Sequence, residues 1–524
     1  MVKDETDFYV DLMSGSSGVT GSCNICSVRF PDGKRQKFVI DFGQYQEWEY
    51  EGFNRELLID PDSVSFVIAT HVHLDHVGRL PMLIRNGYEG KIFCTYGTQE
   101  LLEPALRDAH AIMRQKFSRA LTKYRKSKKP ESFQKKSSGK KDRNGHGKNY
   151  KTYKNGNGKN GDNYLKNLRP LYDEYNVADT LASTEGVPYE KWQKFNKNIS
   201  FMFLKNAHLP GAACVLVKIS YPGRKSITIL FTGDWNKKNL FLGEIDLPNK
   251  VKNLKHLHVV MEATYGTTVS SEVEPCFKDN ILKTLKKGGS VVVPAFSLGR
   301  AQEVLYHLKQ MQNESQLSTA IPIYYGGKLT ATYTKKFQVA GSLEVLTEMR
   351  DFLPQNLTFV GKKNIGDVLG KEEQAIFVVS SGMCSFGLSP ICAKHFLGNS
   401  NALIHFTGYC AEGTWGRNLI EAPDGAKVKF NGYGDALKKA EVVSTKEFST
   451  HAKADELLEY CKGFKGMSTL LLTHGSPDVK ENFKEFLEPG GVEAEVVCLD
   501  RSNYYRLDDE GIVFRKSTKF KPIP

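Results

Sequence analysis

The sequence predicts an α/β protein, and three observations support this. Short apolar runs rich in valine, isoleucine and leucine alternate with segments of helical periodicity throughout the 524 residues. Polar residues able to bind metal follow several of these runs directly, whereas glycine and serine follow others. The chain is also too long for one ordinary core, which predicts two domains or one domain with a large insertion.

Two sets of predicted strands differ in how they end. The first set ends in polar residues and comprises residues 37–43, 65–70, 91–96, 227–234, 257–265 and 468–475. The second set ends in turns rich in glycine and serine and comprises residues 290–296, 321–327, 375–382 and 402–409. Helices such as GRAQEVLYHLKQM (299–311) follow several strands. Because sites in open α/β sheets gather at the carboxyl ends of strands, these endings are where function is expected.

The positive charge of the chain is concentrated in one segment. The net charge is +13, and residues 123–159 hold 14 lysines and arginines against two acids, so that the remainder is close to neutral. This stretch is poor in aliphatic residues, and we expect residues 119–165 to form a flexible surface insertion. Two interpretations stay open: a solubilising loop, or an arm that attracts phosphates and whose tyrosines stack on bases.

The composition favours a soluble protein of the cytoplasm. No segment approaches the roughly 18 consecutive apolar residues of a membrane span, and the start, MVKDETDFYV, is acidic where a secretion signal is basic and then apolar. The ten cysteines are scattered, which predicts buried, reduced thiols. The one CxxC, Cys23 to Cys26, is better explained by a strand with two inward cysteines than by a zinc or redox site, since no second pair lies nearby.

The densest cluster of metal-binding side chains is HVHLDHVG, residues 71–78. His71 and His73 are two residues apart, so in extended backbone they point to the same side and can share one ion. Asp75 and His76 begin the next turn and point elsewhere. Three imidazoles and a carboxylate at one strand exit would be costly without a metal, and this ligand mixture suits zinc.

Other strand ends offer the further ligands that two ions need. They are His208 in KNAHLPGA, Asp234 in FTGDWN and His474 in LTHGSP. A carboxylate between the ions would bridge them. Taken alone, His208 or His474 would be better explained as a capping or core residue.

Taken in order, the motifs resemble the metallo-β-lactamase fold and its β-CASP nuclease branch, which includes ribonuclease J and the cleavage subunit of the eukaryotic mRNA polyadenylation-specificity factor. HxHxDH follows a strand, with Asp41 in VIDFGQ before it and His208 and Asp234 after it. Further stretches typical of the branch are MEATYG (261–266), VVVPAFSLGRAQEVL (291–305), VVSSGMCSFG (378–387), GYCAEGTWGR (408–417), FSTHAKADELL (448–458) and LTHG (472–475). The resemblance implies an αββα sandwich built from residues 1–266 and 445–524 and interrupted by an α/β β-CASP domain at 267–444.

The resemblance further implies two zinc ions per chain. The ligands implied for the first ion are His71, His73 and His208, and those for the second are Asp75, His76 and His474. Asp234 would bridge the two ions. Asp41 would lie behind the ligands and orient them together with solvent.

The catalytic residues implied by the resemblance are Asp41, Asp75, Asp234, Glu262 and His451. Glu262 matches the first β-CASP motif and His451 the second, where a histidine backed by an acid can protonate the leaving oxygen. His474 is the third motif, and a histidine there accompanies RNA substrates, whereas members that process DNA tend to carry valine. The implied activity is hydrolysis of RNA phosphodiester bonds by a two-metal mechanism, in RNA processing or decay.

The second α/β module predicts a large substrate clamped between domains, which we expect to be single-stranded RNA. Strand-to-helix turns with small residues and an occasional arginine would cradle its phosphates, and the candidates are Ser297, Arg300, Ser381, Gly382, Thr414 and Arg417. Each such turn alone is more often plain turn chemistry. Endonucleolytic or exonucleolytic cleavage, the identity of the RNA and the oligomeric state stay open, with a homodimer among the options.

Three positions depart from the family pattern. The usual Asp-Ser-Pro-Leu-Ala is here Gly326-Gly-Lys-Leu-Thr330, where Lys328 offers a charge instead. Lys453 stands where an aspartate is expected, and Ser476 where a glutamate is expected. None of the implied metal ligands is changed. We therefore expect the departures to affect the residues that support the ligands, the rate of the reaction and the substrate preference.

Three other functions compete with a ribonuclease. A DNA nuclease of the same superfamily is disfavoured by His474. A catalytically inactive RNA-binding partner is disfavoured because all seven implied ligands are present. A hydrolase of small substrates would leave residues 267–444 unexplained.

Overall fold

The computed structural model describes residues 8–16, 18–127, 167–339, 341, 343–371, 373–408, 410, 412–430, 434–501, 503–509 and 513–517. Within these residues two large sheets pack face to face, and a third sheet forms a separate layer. The predicted α/β class is confirmed. Every predicted strand is present and ends one to three residues before its run does, because the polar residues leave the sheet.

The first sheet joins the two ends of the chain. Its strands are β1 (Tyr9–Ser14), β2 (Asn24–Arg29), β3 (Arg35–Ile40), β4 (Val64–Ile68), β5 (Lys91–Thr95), β6 (Thr184–Val187), β24 (Asn503–Asp508) and β25 (Val513–Ser517). Their order across the sheet is β25-β24-β1-β2-β3-β4-β5-β6. Strands β1 and β24 are antiparallel, with Tyr9 opposite Asp508.

The second sheet carries most of the strand ends with candidate ligands. Its strands are β7 (Gln193–Lys194), β8 (Ile199–Lys205), β9 (Ala213–Ile219), β10 (Ile227–Phe231), β13 (Leu257–Glu262), β22 (Met467–Thr473) and β23 (Glu495–Cys498). Their order is β23-β22-β13-β10-β9-β8-β7. Strands β10, β13 and β22 are parallel, so their carboxyl ends meet at one edge.

The third sheet is parallel throughout. Its strands are β14 (Val291–Pro294), β15 (Ile323–Gly326), β16 (Leu357–Val360), β17 (Ile376–Val379), β18 (Leu403–Phe406) and β21 (Glu441–Ser444), in the order β16-β15-β17-β14-β18-β21. Two short hairpins pair β11 (Lys238–Asn239) with β12 (Gly243–Glu244) and β19 (Lys427–Phe430) with β20 (Gly434–Leu437).

Helices cover the outer faces of these sheets. They are α1 (Leu74–Val77), α2 (Leu80–Arg85), α3 (Tyr96–Ser127), α4 (Glu174–Ser183), α5 (Asn249–Lys252), α6 (Phe277–Lys286), α7 (Arg300–Asn313), α8 (Lys328–Gln338), α9 (Ile365–Leu369), α10 (Ser389–Leu397), α11 (Trp415–Glu421), α12 (Ala454–Lys462) and α13 (Pro477–Leu487). Single 3₁₀ turns lie at Trp48–Arg55, Pro61–Ser63, Ser270–Glu272 and Thr347–Met349.

Three apolar layers hold the sandwich together. Between its two sheets, Phe66 of β4 lies 5.9 Å from the ring of Phe201 of β8. Helices α1 to α4 pack on the outer face of the first sheet, and α12 and α13 pack on that of the second. Burial of this apolar surface is the main favourable term in folding, and it fixes the strand ends that form the candidate site.

The part of the chain that carries the third sheet contacts the sandwich at two described places. Phe277 of α6 packs against Phe448, with ring centroids 4.8 Å apart. The backbone N–H of Gly211 donates a hydrogen bond of 3.0 Å to Oε2 of Glu344. The two parts therefore contact each other directly.

The predicted basic insertion overlaps the end of a long helix. Residues 119–127 of the predicted segment 119–165 continue α3, which ends at Ser127, and its remaining residues lie outside the described ones. In the described part of the chain, no helix combines the length and the apolar character needed to cross a bilayer.

The cysteines are free thiols, as expected, and most are buried. Cys23 belongs to the apolar layer outside the first sheet and Cys26 to the layer between the sheets. Because the two side chains lie on opposite faces, they cannot share one ion. Burial raises the pKa of Cys23 to about 12, which keeps this thiol protonated.

Candidate metal centre

Four strand ends bring the predicted ligands together. The HxHxDH segment follows β4, with His71 and His73 in the loop and Asp75 and His76 in α1. The other ligands come from the second sheet, where His208 follows β8, Asp234 follows β10 and His474 follows β22. All but His73 and Asp75, which are partly exposed, are buried. Two groups of these residues have ligand atoms within 4.8 Å of one another: His71, His73, His208 and Asp234, and Asp75, His76 and His474.

The first group is a cluster of three imidazoles. Nδ1 of His73 lies 3.2 Å from Nε2 of His71 and 3.1 Å from Nε2 of His208. A tetrahedral zinc ion, with Zn–N of about 2.0–2.1 Å, places its ligand atoms about 3.3 Å apart. Burial lowers the pKa of His73 to about 4 and the pKa values of His71 and His208 well below the usual range. The imidazoles are therefore neutral and have lone pairs to offer to a cation.

The second group joins α1 to the end of β22. Nε2 of His76 and Nε2 of His474 are 3.1 Å apart, and Nε2 of His474 lies 3.6 Å from Oδ2 of Asp75. Burial favours the neutral form of Asp75, but its hydrogen bond with His474 and the charge of His76 outweigh burial and hold the pKa at about 2. Burial favours neutral imidazoles here too, but Asp234 outweighs burial and raises the pKa values of His76 and His474. This group therefore offers one carboxylate and two imidazoles whose protons a metal ion would have to displace.

Asp234 lies between the two groups and turns one oxygen to each. Its Oδ2 is 3.4 Å from Nε2 of His71 and 3.5 Å from Nε2 of His208. Its Oδ1 is 3.0 Å from Nε2 of His76 and 3.3 Å from Nε2 of His474. Within the described residues, Oδ1 is buried and accepts no hydrogen bond. A buried carboxylate oxygen without a donor is costly, and a cation on each side would satisfy both oxygens, so the residues present fit a pair of metal ions.

A layer of hydrogen bonds behind the ligands fixes the imidazole rings. Oδ2 of Asp41 lies 2.7 Å from Nδ1 of His76, and Asp41 accepts a 2.8 Å hydrogen bond from the backbone N–H of Thr70. Asp41 thus lies behind the ligands, where the resemblance implies it. Such partners direct the other ring nitrogen toward a metal and raise its basicity.

Two partners of the ligands were missed by the sequence analysis. Oγ1 of Thr264 lies 3.0 Å from Nδ1 of His474, and the carbonyl oxygen of Thr450 lies 3.0 Å from Nδ1 of His208. Thr264 belongs to MEATYG and Thr450 precedes His451, so both lie in motifs that were recognised for other residues. Their position next to predicted site residues is the signal that could have found them.

The partly exposed His451 and the buried Glu262 form a pair at the edge of the metal centre. Nδ1 of His451 lies 2.9 Å from both carboxylate oxygens of Glu262, and its Nε2 lies 3.7 Å from Oδ2 of Asp234. Burial favours the neutral imidazole, but Glu262 and Asp234 outweigh burial and raise the pKa of His451 to about 9. The ring is positioned to hold a proton on Nε2, on the side that faces the centre.

The six candidate RNA contacts share one edge of the third sheet. Ser297 and Arg300 follow β14, Ser381 and Gly382 follow β17, and Thr414 and Arg417 begin α11 after β18. Since β17, β14 and β18 are adjacent and parallel, their carboxyl ends lie side by side. The described contacts do not bring any of the six to the metal centre itself.

Several of these side chains serve the turns in which they lie. Oγ of Ser297 accepts a hydrogen bond from Oγ1 of Thr330, and Oγ of Ser381 accepts one from the backbone N–H of Ser385. Oγ1 of Thr414 accepts a hydrogen bond from the backbone N–H of Arg417 and caps α11.

The departures from the family pattern lie outside the ligand groups. Gly327 has a φ of 124°, and a Cβ there would lie 2.3 Å from Oγ of Ser380, so glycine is required. Lys328 is the exposed first residue of α8. The backbone N–H of Lys453 donates to Glu456 at the start of α12, and Ser476 precedes α13.

Three family models match successive parts of the chain. The metallo-beta-lactamase superfamily matches residues 20–106, the Beta-Casp domain matches residues 301–419, and the Zn-dependent metallo-hydrolase RNA specificity domain matches residues 437–497. The HxHxDH segment lies in the first match, the six candidate RNA contacts lie in or beside the second, and His451 and His474 lie in the third.

Curated relatives are similar over most of the chain. A ribonuclease of Thermus thermophilus is 28% identical over 88% of this chain and 91% of its own length. An RNase of Saccharolobus solfataricus is 25% identical over 92% of this chain and 82% of its own. An endoribonuclease of Candida glabrata is 25% identical over 97% of this chain, which spans only 61% of that longer protein.

Proposed function

Because the chain belongs to the metallo-β-lactamase superfamily and its β-CASP branch, we propose that it is a ribonuclease that hydrolyses RNA phosphodiester bonds with two zinc ions. The observation that carries this proposal is Asp234, whose two oxygens face two separate sets of nitrogen ligands. Similar proteins are named ribonuclease and endoribonuclease, and the match at 437–497 is to an RNA specificity domain.

Each part of the centre has a role in this reaction. His71, His73 and His208 would hold one ion, and Asp75, His76 and His474 the other, with Asp234 shared by both. Zinc would supply Lewis acidity toward the attacking water and the phosphate oxygens. Asp41 keeps the ring of His76 in place from behind.

The departing oxygen of the RNA needs a proton, and His451 is placed to supply it. Its Nδ1 is engaged by Glu262, so the proton that can move is the one on Nε2, which faces Asp234 and the centre. Glu262 is buried and also accepts a 2.5 Å hydrogen bond from the backbone N–H of Trp235. This carboxylate therefore holds one orientation and stabilises the imidazolium before the transfer.

RNA is favoured over DNA by His474, the residue that accompanies RNA substrates in the branch that the chain resembles. An inactive RNA-binding partner is disfavoured because all seven ligand positions keep metal-binding side chains. We further propose that the substrate is single-stranded RNA and that the protein acts in the cytoplasm. A second copy of the chain is the proposed protein partner. Light scattering on the purified protein distinguishes a monomer from a homodimer.

The deciding experiment compares RNA and DNA strands labelled at either end, with and without a chelator. We expect cleavage of RNA alone, loss of cleavage with the chelator and recovery on adding zinc. The double variant Asp75→Ala, His76→Ala should not cleave, whereas a variant of an exposed histidine outside the centre, His256→Ala, should match the parent. Cleavage by the double variant would refute the mechanism. Products seen from both labels at short times indicate internal cutting, and a ladder from one label indicates cutting from an end.

A further inference from the structure

Phe296 is an aromatic residue that the proposed function has not used. It follows β14 by two residues, and its side chain is 37% exposed. A Cβ added at Gly382 would lie 2.8–2.9 Å from three atoms of the Phe296 ring, and one added at Gly408 would lie 3.7 Å from it. The ring therefore lies close to the backbone of Gly382, and more than a third of the side chain is open to solvent.

The edge of the third sheet that carries Phe296 adjoins the start of the segment that runs to His451. Oγ1 of Thr407, after β18, donates to the carbonyl oxygen of Pro294, and the backbone N–H of Thr445, after β21, donates to the carbonyl oxygen of Phe406. Strands β14, β18 and β21 are neighbours, so about two strand spacings, roughly 10 Å, separate Phe296 from Thr445. Thr445 begins the short segment that ends at His451.

A cation lies at the same strand end. The side chain of Arg300 is only 8% exposed, and its nearest carboxylate, Oε2 of Glu303, is 3.8 Å from Nη1. Within the described residues, Nε and Nη1 of Arg300 make no hydrogen bond. Proteins that bind single strands combine such cations, which attract the backbone, with aromatic rings on which bases stack.

We propose that Phe296 is the stacking platform for one unpaired base of the RNA substrate and thereby helps to set which phosphodiester bond reaches the centre. This proposal rests on the ribonuclease function proposed above. It gives Gly382 a different role from the predicted phosphate contact: glycine is needed there because any side chain would displace the ring. A protein partner is disfavoured, because one partly exposed ring offers far less surface area than a stable protein interface buries.

The test measures kcat and KM on a single-stranded RNA for Phe296→Ala, Phe296→Leu and Phe296→Trp. Leucine still covers Gly382 but has no aromatic face. We expect KM to rise about 5- to 100-fold for alanine and leucine, which corresponds to the loss of one stacked base, with kcat within about threefold of the parent. Tryptophan should restore KM. A control variant of an exposed aromatic residue on α4, Tyr175→Ala, should leave both constants unchanged.

Substrates with one abasic nucleotide identify the stacked base. At a single position near the cleaved bond, removal of the base should raise KM for the parent and leave KM of Phe296→Leu unchanged. Equal KM values of the parent and Phe296→Leu on the intact RNA would overturn the proposal. It would also be overturned if no abasic position raised KM for the parent alone. If the parent protein cleaves no RNA, the ribonuclease proposal fails and the stacking proposal stays open to test. Base stacking is then measured by the tryptophan fluorescence of the Phe296→Trp variant. Phe296→Trp must show quenching with the intact RNA and none with the abasic one.

Discussion

Both carboxylate oxygens of Glu262 lie 2.9 Å from Nδ1 of His451, across 189 residues of chain. Glu262 ends β13 of the sandwich, whereas His451 follows the last strand of the third sheet. The pair therefore joins the end of β13 to the segment that leaves the third sheet, at the point where the substrate would be cut. Its geometry leaves Nε2 of His451 facing the centre.

Replacing His451 should slow the reaction only when the leaving group needs a proton. For His451→Ala we expect kcat on RNA to fall about 10²- to 10⁴-fold, the usual contribution of a general acid. A phosphodiester with a p-nitrophenolate leaving group departs without protonation, so its kcat should fall less than about tenfold. Both rates are measured on samples of equal zinc content.

A substitution of Glu262 tests the same assignment a second time, because Glu262 acts through His451. Glu262→Gln keeps the size of the side chain and removes its charge, so RNA cleavage should fall while zinc content and folding stay unchanged. The aryl substrate should again be spared. An equal loss on both substrates in either variant would mean that the pair supports the metal centre and does not protonate the leaving group.

The zinc content of single variants should reveal two separate ions that share one ligand. We expect about two zinc ions per chain in the parent, one each in His73→Ala and His474→Ala, and none in Asp234→Ala. The reason is that, among the residues that the structure describes, Asp234 alone faces both ligand groups. Mass-spectrometric metal analysis after dialysis against a weak chelator measures the content, with His256→Ala as the control. Full zinc content in Asp234→Ala would rule out a bridging carboxylate.

The candidate ligands could be named from the sequence because four of them lie within six residues and the others follow recognisable strands. Thr264 was not named, because a hydroxyl that holds a histidine 210 residues away leaves no periodic pattern, and only its place near Glu262 in the sequence pointed to it. The strands were predictable from their apolar runs. Their partners were not, since nothing local indicates that Tyr9 pairs opposite Asp508. Long-range contacts are set by the packing of the whole chain and leave no signature in a short segment.

Gly43 is another residue whose importance appears only in the fold, and its replacement should disturb the centre. A Cβ at this position would lie 1.6 Å from the backbone carbonyl oxygen of Asp75, which also accepts a hydrogen bond from the N–H of Ser22. Gly43→Ala must therefore push the loop that carries Asp75 and His76. We expect a loss of about 1–3 kcal/mol or more in the free energy of unfolding, together with weaker zinc binding.

Gly52→Ala is the matched control for that substitution. A Cβ at Gly52 would meet no atom within 4 Å, so stability and zinc content should stay close to those of the parent. Denaturant titration and metal analysis on the two variants decide the question. Equal stabilities would show that the backbone around Asp75 can move aside at no cost.

Lys328 is the departure from the family pattern with the clearest expected effect on RNA binding. It begins α8 at the carboxyl end of β15, the same edge of the third sheet that carries Phe296. If its charge neutralises one phosphate, Lys328→Ala should reduce the slope of log K against log salt by about 0.7. A control, Lys191→Ala, changes an exposed lysine of the sandwich and should leave the slope unchanged.

The lysine-rich segment should act on binding through charge alone. Replacing the lysines and arginines of 128–159 by glutamine keeps the length of the segment but removes most of the net positive charge of the chain. If the segment is a phosphate-attracting arm, the RNA affinity at low salt should fall and the salt slope should become shallower by about 0.7 for each phosphate that the arm no longer neutralises. The turnover number kcat should not change, because each ligand and His451 is retained. An affinity and a slope equal to those of the parent would assign the segment to solubility, and a lower kcat would mean that it reaches the centre.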